Sequence, residues 1–134
     1  MFVLDTFVTM SWCFEDEASQ YGDRILEKLE DTEAIVPSLW RLEVANVLLM
    51  AERKDRIKPA RSKRFVELLH SLPIEVDIAQ TKSYMAEISA SGRRHNLTAY
   101  DTAYLELAAR RNIPLASLDD KLKKAAKNEG VKII

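Results

Sequence analysis

The chain has 134 residues, of which 47% are hydrophobic and 31% charged, and its formal net charge at pH 7 is −1. This length predicts a single domain over residues 1–134, and the hydrophobic fraction is sufficient for a core of its own. The near-zero charge excludes a protein that is basic over its whole surface. It leaves room for a local basic patch that binds nucleic acid.

Cysteine content and the N-terminal residues indicate the compartment. Cys13 is the only cysteine, so no disulfide can form within the chain, which favours a reducing, cytoplasmic setting. The opening stretch "MFVLDTFVTMSW" has no basic leader and carries Asp5, so we expect no signal peptide. No apolar run approaches the roughly 20 residues that a membrane-spanning helix needs, and we expect no membrane association.

Short apolar runs alternate with longer amphipathic stretches along the chain. Strands are predicted at "MFVL", "EAIVP", "IEVDI", "IPLASL" and "VKII". Helical spacing is predicted for a segment ending near Leu29 and for the stretches "LWRLEVANVLLMAERKD", "ARSKRFVELLHSL", "TKSYMAEISASGRRHN" as far as Gly92, "LTAYDTAYLELAARRN" and "DKLKKAAKNEG". This alternation predicts an α/β fold with a parallel sheet covered on both faces.

The second of these helices has two further predicted features. Ser38 is its candidate N-cap. Its apolar residues follow helical spacing through Leu39, Leu42, Ala45 and Leu49.

Four acidic residues fall near the ends of predicted elements. Asp5 directly follows the first strand, and Asp119 directly follows "PLASL". Glu43 lies one turn into the helix after the second strand, and Asp101 one turn into the helix before the strand that ends at Asp119. Ligands bind at the carboxyl edge of open parallel sheets. We therefore expect these four carboxylates to face one rim.

Three of the four acids also have a purely structural interpretation. Thr98 followed by Asp101 is a capping-box variant, and Asp119 can cap the last helix, with Asp120 as a first-turn acid. Asp5 has little apparent structural use. Glu43 lies among apolar helical neighbours, which predicts partial burial with Asn46 as a hydrogen-bond partner; the alternative is a surface glutamate paired with an arginine.

Electrostatics favours a functional interpretation if the acids do meet. Two carboxylates about 4 Å apart repel by about 4 kcal/mol at an effective dielectric of about 20. Protons or divalent cations must neutralise such a cluster. Oxygen ligands without histidine or cysteine select Mg²⁺ or Mn²⁺, which polarise phosphoryl oxygens and lower the pKa of bound water in phosphodiester hydrolysis.

The stretches "FVLDTFVTMSWCFEDEAS", "PSLWRLEVANVLL", "LTAYDTAYLELAARRNIPLASLDDKL" and "AAKNEGVKII" together resemble the PIN-domain ribonucleases of the VapC toxin type. The resemblance covers essentially the whole chain. It implies a three-layer α/β/α sandwich around a parallel sheet and a Mg²⁺- or Mn²⁺-dependent endoribonuclease. It also implies a homodimer inhibited by a cognate VapB-like antitoxin. The implied catalytic, metal-binding residues are Asp5, Glu43, Asp101 and Asp119.

The resemblance extends to auxiliary positions, with one departure. Ser117 matches a hydroxyl position that orients the last acid or its water. Members of this family generally have a small hydroxyl residue two positions after the first Asp, where this chain has Phe7, and Thr6 is the candidate substitute.

Basic residues suggest where RNA phosphates would bind. Arg93 and Arg94, just before the Asp101 helix, are the better candidates. The run "RKDRIKPARSKR" favours a solvated helix end and loop, with a phosphate-binding strip as the alternative. His95 is interpreted as a surface loop histidine. The aromatic residues at helical positions favour core or dimer packing over base stacking; they are Trp12, Trp40, Tyr100 and Tyr104.

Two other function classes remain open at this point. A non-catalytic PIN-like module that binds RNA or protein would keep the fold without needing all four acids. A receiver-type phosphoacceptor domain would need paired acids near the first strand and an acceptor Asp after a middle strand. "FVLDTF" offers one acid, and Asp77 is expected inside a strand.

Overall fold

Four short parallel strands form the sheet in this computed structural model, which describes residues 1–134. The strands are β1 (Phe2–Leu4), β2 (Ala34–Pro37), β3 (Ile74–Asp77) and β4 (Leu115–Ala116), in the spatial order β3-β2-β1-β4. Every residue of β1, β2 and β4 is buried, as expected for strands covered on both faces. The predicted α/β class with a parallel sheet flanked by helices is confirmed.

Strand β1 is the position at which the order of the strands across the sheet reverses. The chain passes from β1 to β2 and β3 on one side, and β4 later pairs with the other side of β1. The register aligns Val3 with Leu115 and Leu4 with Ala116, so the two strands end side by side. Residues that follow β1 and β4 therefore lie next to each other at the carboxyl edge, where ligands bind in such sheets.

Seven α-helices connect and cover the strands. They are α1 (Thr6–Ser11), α2 (Gln20–Lys28), α3 (Leu39–Arg53), α4 (Pro59–Ser71), α5 (Tyr84–His95), α6 (Ala99–Arg111) and α7 (Asp120–Asn128). The first predicted helical segment divides into α1, a 3-10 turn at Glu15–Glu17, and α2. None of the helices combines the length and apolar character required to cross a bilayer.

The buried face of α3 differs from the predicted one. Trp40, Val44, Leu48 and Ala51 point into the core, whereas Leu42 is 75% exposed and Leu49 is also exposed. Both sets follow helical spacing, because apolar residues occur all round this helix. Periodicity alone therefore could not identify the face that packs on the sheet. Ser38 does occupy the N-cap position, but its side chain makes no capping hydrogen bond.

Several predicted boundaries also shift. Helix α5 continues past Gly92 to His95 and ends at Asn96, which has a left-handed φ of 52°. The predicted strand "VKII" forms only an isolated bridge between Ile133 and Leu115. Helix α7 ends before Gly130, whose φ of 75° favours glycine.

Helix α1 is tightly fixed against its neighbours. The hydroxyl of Thr9 donates to the carbonyl of Asp5 at 2.9 Å and accepts from the indole Nε1 of Trp40 at 3.0 Å. The indole of Trp12 donates to the carbonyl of Gly22 at 2.9 Å. These bonds tie the segment after β1 to both α3 and α2, which fixes the backbone at Asp5.

Gly22 allows α2 to approach α1 closely. A methyl group on Gly22 would overlap Ser11 Oγ and lie 3.4 Å from Ser11 Cβ. We predict that Gly22→Ala lowers the free energy of unfolding, since overpacking costs about 1 to 3 kcal/mol and alanine returns at most about 1 kcal/mol of helix propensity. Urea unfolding measures the change.

The Ser11→Ala/Gly22→Ala double variant is the control for this prediction. It removes the overlapping oxygen and is expected to recover most of the lost stability. A single Gly22→Ala variant as stable as wild type would show that α1 and α2 have room to separate.

Candidate functional site

A cavity of about 190 Å³ opens at the carboxyl ends of β1 and β4, and all four predicted acids line it. Asp5 and Asp119 come from the segments after these two strands, Glu43 from α3 and Asp101 from α6. Other residues around the cavity include Thr6, Tyr104, Asn46, Glu17 and the apolar side chains of Phe7, Met10, Val47 and Leu122. The fold thus brings together carboxylates that are far apart in the sequence.

Asp5 is the most deeply placed of the four acids, with only 4% of its surface exposed. Its Oδ1 accepts a hydrogen bond from the backbone N–H of Val8 at 2.9 Å, which makes it the N-cap of α1. The expectation that Asp5 has little structural use was therefore wrong. It failed because the sequence did not reveal that a helix begins immediately after β1.

Asp119 has the same arrangement on the neighbouring strand. Its Oδ1 accepts from the N–H of Leu122 at 2.8 Å and caps α7, as one of the two interpretations predicted. Ser117 is buried, and its hydroxyl accepts from the N–H of Asp119 at 3.1 Å. Ser117 therefore fixes the turn that carries Asp119, while Asp120 lies in the first turn of α7.

Glu43 is held by two hydroxyl groups. Tyr104 donates to Glu43 Oε1 at 2.5 Å, and Thr6 donates to the same oxygen at 3.0 Å. The two hydroxyls are 2.7 Å from each other. The predicted partner of Glu43, Asn46, is exposed and makes no hydrogen bond with it, so that expectation was wrong. Thr6 fixes a carboxylate here, rather than simply replacing the hydroxyl expected at Phe7.

Tyr104 is the site residue that sequence reasoning missed, since it was assigned to packing. It is buried in the core as that interpretation expected, but its hydroxyl reaches the acids. One signal was available: Tyr104 follows Asp101 by three positions and shares its face of the helix. Tyr100, by contrast, is 65% exposed, so it does not pack in the core of the chain, and the other half of its assignment, dimer packing, stays a prediction.

Asp101 is the least constrained of the four acids. Its backbone N–H donates to the hydroxyl of Thr98 at 3.1 Å, so Thr98 caps α6 as predicted. The carboxylate itself accepts no hydrogen bond of standard geometry and is partly exposed. Asp101 is therefore the acid with most freedom to change its side-chain direction.

Burial and mutual repulsion raise the pKa of two of these carboxyl groups. Loss of solvent raises the pKa of Asp5 to about 6; the Ser117 hydroxyl and the Val8 N–H oppose this shift, and the charges of Asp119 and Asp101 add to it. The pKa of Asp101 is raised by burial first and then by Asp119 and Glu43. Burial, followed by the hydrogen bond to Glu43, raises the pKa of Tyr104 and keeps its phenol protonated as a donor.

The four carboxylates share one cavity and sense one another's charge, but they do not converge on one point. No three acidic, histidine or cysteine side chains in the chain are arranged so that they could hold one ion as they stand. Glu43 and Asp119 each direct one oxygen to protein donors, and Asp5 is held by the Val8 N–H with the Ser117 hydroxyl also close to it. The role of all four acids as catalytic metal ligands stays a prediction.

Two arginines of the run "RKDRIKPARSKR" are held by contacts within the chain. Arg56 pairs with Asp16 at 3.1 Å and stacks on Phe14, and Arg61 donates to the carbonyl of Cys13 at 2.6 Å. These contacts favour the structural interpretation of that run. Arg93 and Arg94 lie in the last turn of α5 and are exposed.

His95 is not a surface loop residue. It ends α5, its side chain is 6% exposed, and Nε2 lies 2.7 Å from Glu129 Oε1. Arg94 donates to the same oxygen at 2.7 Å. The carboxylate of Glu129, at the C-terminal end of α7, therefore holds both Arg94 and His95.

Asp77 has a structural role. It is the last residue of β3 rather than an interior one, and it is buried with an ion pair to Arg110 at 2.6 Å. Strand β2 lies between β3 and β1, so Asp77 is separated from the four-acid cavity. This arrangement gives no support to the receiver-type alternative.

Comparison with known proteins supports the fold. The chain is similar to the crystal structure of PAE2754 from Pyrobaculum aerophilum, with a TM-score of 0.71 and 19% identity over 98% of this chain and 89% of that one. It is also similar to FitAcB from Neisseria gonorrhoeae, with a TM-score of 0.67 and 17% identity over 100% of this chain and 96% of that one. No curated protein matches the sequence.

A family model gives the assignment directly. The model described as PIN domain matches residues 2–128, which include all four acids of the cavity. The match agrees with the sequence resemblance and with the parallel sheet whose carboxyl edge carries the acids. The chain therefore belongs to the PIN domain family.

Proposed function

We propose that this protein is a divalent-metal-dependent endoribonuclease and the toxin of a type II toxin–antitoxin pair. PIN domains are generally nucleases, which supports the class of reaction. The observation that carries the proposal is the shared cavity of Asp5, Glu43, Asp101 and Asp119. Helix capping explains the presence of Asp5 and Asp119 individually, but it does not explain why carboxylates from four elements share one cavity, where they repel one another.

The donor groups fit a hard divalent cation. They supply only oxygen atoms, the set preferred by Mg²⁺ and Mn²⁺. Carboxylate oxygens of Asp5, Glu43, Asp101 and Asp119 would hold the ion after their side chains turn toward one another, because they do not converge as they stand. When bound, such an ion polarises a phosphoryl oxygen and lowers the pKa of a bound water.

The protein side of the mechanism is mainly positioning. The helix caps fix Asp5 and Asp119 through the N–H groups of Val8 and Leu122, so these two carboxylates need little reorganisation. Tyr104 and Thr6 do the same for Glu43. Asp101 accepts no backbone N–H and is partly exposed, so it is the proposed adjustable carboxylate and the proposed acceptor for a proton released from water.

The proposed partners follow from the same assignment. RNA is the substrate, with Arg93 and Arg94 as candidate phosphate contacts. A VapB-like antitoxin and a second copy of the chain are the proposed protein partners, and the cytoplasm is the proposed location. The exposed aromatic side chain of Phe7, 70% accessible at the cavity, is available to any of these ligands.

RNA cleavage tests the proposed function. We predict that wild type cleaves RNA with Mg²⁺ or Mn²⁺ and loses activity in chelator. Asp5→Asn and Asp101→Asn are expected to lower the rate more than about 100-fold, since changes to groups that merely support ligands already cost about 10- to 100-fold. Gel analysis of a labelled RNA pool measures the cleavage.

Asp31→Asn is the matched control, because Asp31 is exposed in the turn after α2 and forms no ion pair. It should cleave as wild type does. Equal cleavage by all four proteins would indicate a contaminating nuclease and contradict the assignment. RNA binding without cleavage would instead favour a non-catalytic module.

Metal-free stability should depend on pH through Asp5. Its folded pKa is about 6 against an ordinary value of 3.8, so the unfolded chain releases this proton first as pH rises, and stability falls between these two values. Asp5→Asn keeps an oxygen for the Val8 N–H but has no charge. In chelator, we predict that it is more stable than wild type by about 3 kcal/mol above pH 7 and by about half of that at pH 5.

Denaturant unfolding at several pH values measures this difference, with Asp31→Asn as the control that shows no such trend. Saturating Mg²⁺ is expected to raise the melting temperature of wild type and to reduce the advantage of Asp5→Asn. A variant that is less stable than wild type at every pH would show that Asp5 carries no unfavourable charge.

Tyr104→Phe tests the support of Glu43. The change removes one hydroxyl and keeps the ring in the core, so we predict a melting temperature within about 3 °C of wild type, the shift expected from a loss well below 1 kcal/mol. Mn²⁺ affinity, measured by calorimetry, should fall roughly 10-fold, as for other groups that orient metal ligands. Tyr100→Phe on the exposed part of the same helix is the control. Unchanged Mn²⁺ affinity in Tyr104→Phe would rule out this role.

A further inference from the structure

We propose that the RNA backbone beside the scissile phosphodiester binds in the α5–α7 cleft, with Lys121, Lys124 and Arg94 as its phosphate contacts. This name denotes the cleft between the last turn of α5 and helix α7, which is lined by Arg94, His95, Asn96, Lys121, Lys124 and Asn128. The inference rests on the proposed function, because it assigns a binding surface to that RNA substrate.

Helix α7 carries four lysines, and two of them, Lys121 and Lys124, line the cleft. Lys121, Lys124 and Asn128 are spaced three and four positions apart, which places their side chains in a row along the cleft. The amides of Asn96 and Asn128 add hydrogen-bonding groups beside the lysines. A row of cations with interspersed amides suits a phosphate backbone carrying sugar hydroxyls.

The two lysines are available to an external anion, although the charge of Lys121 also acts on Asp101. Both are exposed and neither forms an ion pair within the chain. Lys121 lies in the first turn of α7, where the helix dipole disfavours a cation, and its spacing from Lys124 brings two like charges together. Both features cost stability, so an anionic ligand is the better reason for this pattern.

The opposite wall of the cleft is fixed in position. Glu129 accepts from Arg94 Nη1 at 2.7 Å and contacts His95 Nε2 at 2.7 Å. Only one guanidinium nitrogen of Arg94 is engaged in this way, and 59% of its side chain remains exposed. Arg94 is therefore held beside the lysines with donors still free for a phosphate.

The cleft and the acidic cavity share no lining residue, but both are lined by the first turn of α7, through Lys121 and Leu122 respectively. Asp119 lines that cavity and caps α7, while Lys121, two residues later, lines the cleft. Lys121 is also close enough to Asp101 for its charge to favour the ionised carboxylate. Under this proposal, a strand whose scissile phosphate lies among the acids places its neighbouring phosphates along α7, in the cleft.

A second group of basic residues lies on and just before α4. Arg56 and Arg61 are engaged with Asp16 and the Cys13 carbonyl, whereas Lys63 and Arg64 on α4 are exposed and form no ion pair. Neither Lys63 nor Arg64 lines the acidic cavity. These two residues provide a control with the same loss of two positive charges.

The experiment compares Lys121→Ala/Lys124→Ala with Lys63→Ala/Arg64→Ala in the full chain. Binding of a single-stranded RNA is measured in chelator by fluorescence anisotropy, and cleavage is measured with Mn²⁺, both over a range of salt concentrations. For the cleft variant, we expect Kd and KM to rise about 10-fold with kcat within twofold. We also expect the slope of log Kd against log salt to fall by about 1.4, since each phosphate contact on a single strand contributes about 0.7.

The control variant should bind and cleave as wild type does, and Lys121→Arg/Lys124→Arg should retain binding because it keeps both charges. Circular dichroism melting checks that all variants fold. Equal loss in the two alanine variants, or unchanged RNA binding in the cleft variant, would overturn the inference. A cleft variant that binds RNA normally but loses an acidic protein partner would identify the cleft as a protein interface instead.

The two proposals fail in distinguishable ways. If wild type binds RNA through the cleft but cleaves nothing, the nuclease assignment is contradicted and the proposal about the cleft is not. Wild type that cleaves with metal while the cleft variant binds and cleaves equally well contradicts the cleft alone. Absence of both RNA binding and cleavage overturns both.

Discussion

Burial and crowding of carboxylates at the junction of β1 and β4 are the constraint on which the candidate site depends. The parallel pairing of these strands places Asp5 and the turn to Asp119 side by side, and helices α3 and α6 add Glu43 and Asp101. Burial at this point raises the pKa of Asp5 to about 6, so its charge opposes folding at neutral pH. A cost of about 3 kcal/mol is a large part of the roughly 5–15 kcal/mol that stabilises a typical domain.

The helix caps explain how the protein tolerates this repulsion. Asp5 and Asp119 each accept a backbone N–H at the start of a helix, where the helix dipole favours a negative charge. Capping therefore offsets part of the cost and fixes one carboxylate oxygen. Structural and functional interpretations of these residues are compatible, because the same hydrogen bond that begins a helix also orients a potential ligand.

Local sequence predicted the parts of the site that depend on local structure. Acids at strand ends, and Thr98 as the cap before Asp101, follow from spacing and from strand and helix patterns, and these placements agree with the structure. The support of Glu43 could not be predicted in the same way, because Thr6 and Tyr104 reach it from 37 and 61 residues away. The nearby Asn46 was the only partner that helical spacing could suggest, and its side chain is exposed.

The buried face of α3 could not be predicted from its local sequence pattern either, for a related reason. Two sets of apolar residues follow helical spacing, and the choice between them is made by contact with α1, where Trp40 donates to Thr9. This contact also carries Glu43, three residues beyond Trp40, toward the cavity. The orientation of one acid therefore depends on core packing that a single amphipathic segment does not reveal.

Charge separation along α7 connects the two surfaces of the protein. Its N-cap, Asp119, lines the acidic cavity, and Lys121 and Lys124 line the basic cleft on the following turns. A polyanion approaching carboxylates alone would be repelled, whereas cations beside them can hold its neighbouring phosphates. The net charge of −1 hides this arrangement, because opposite charges cancel in the sum while remaining apart in space. If the two proposals hold, a short helix fixed by one aspartate cap positions both an acid of the cavity and the cations that bind the RNA.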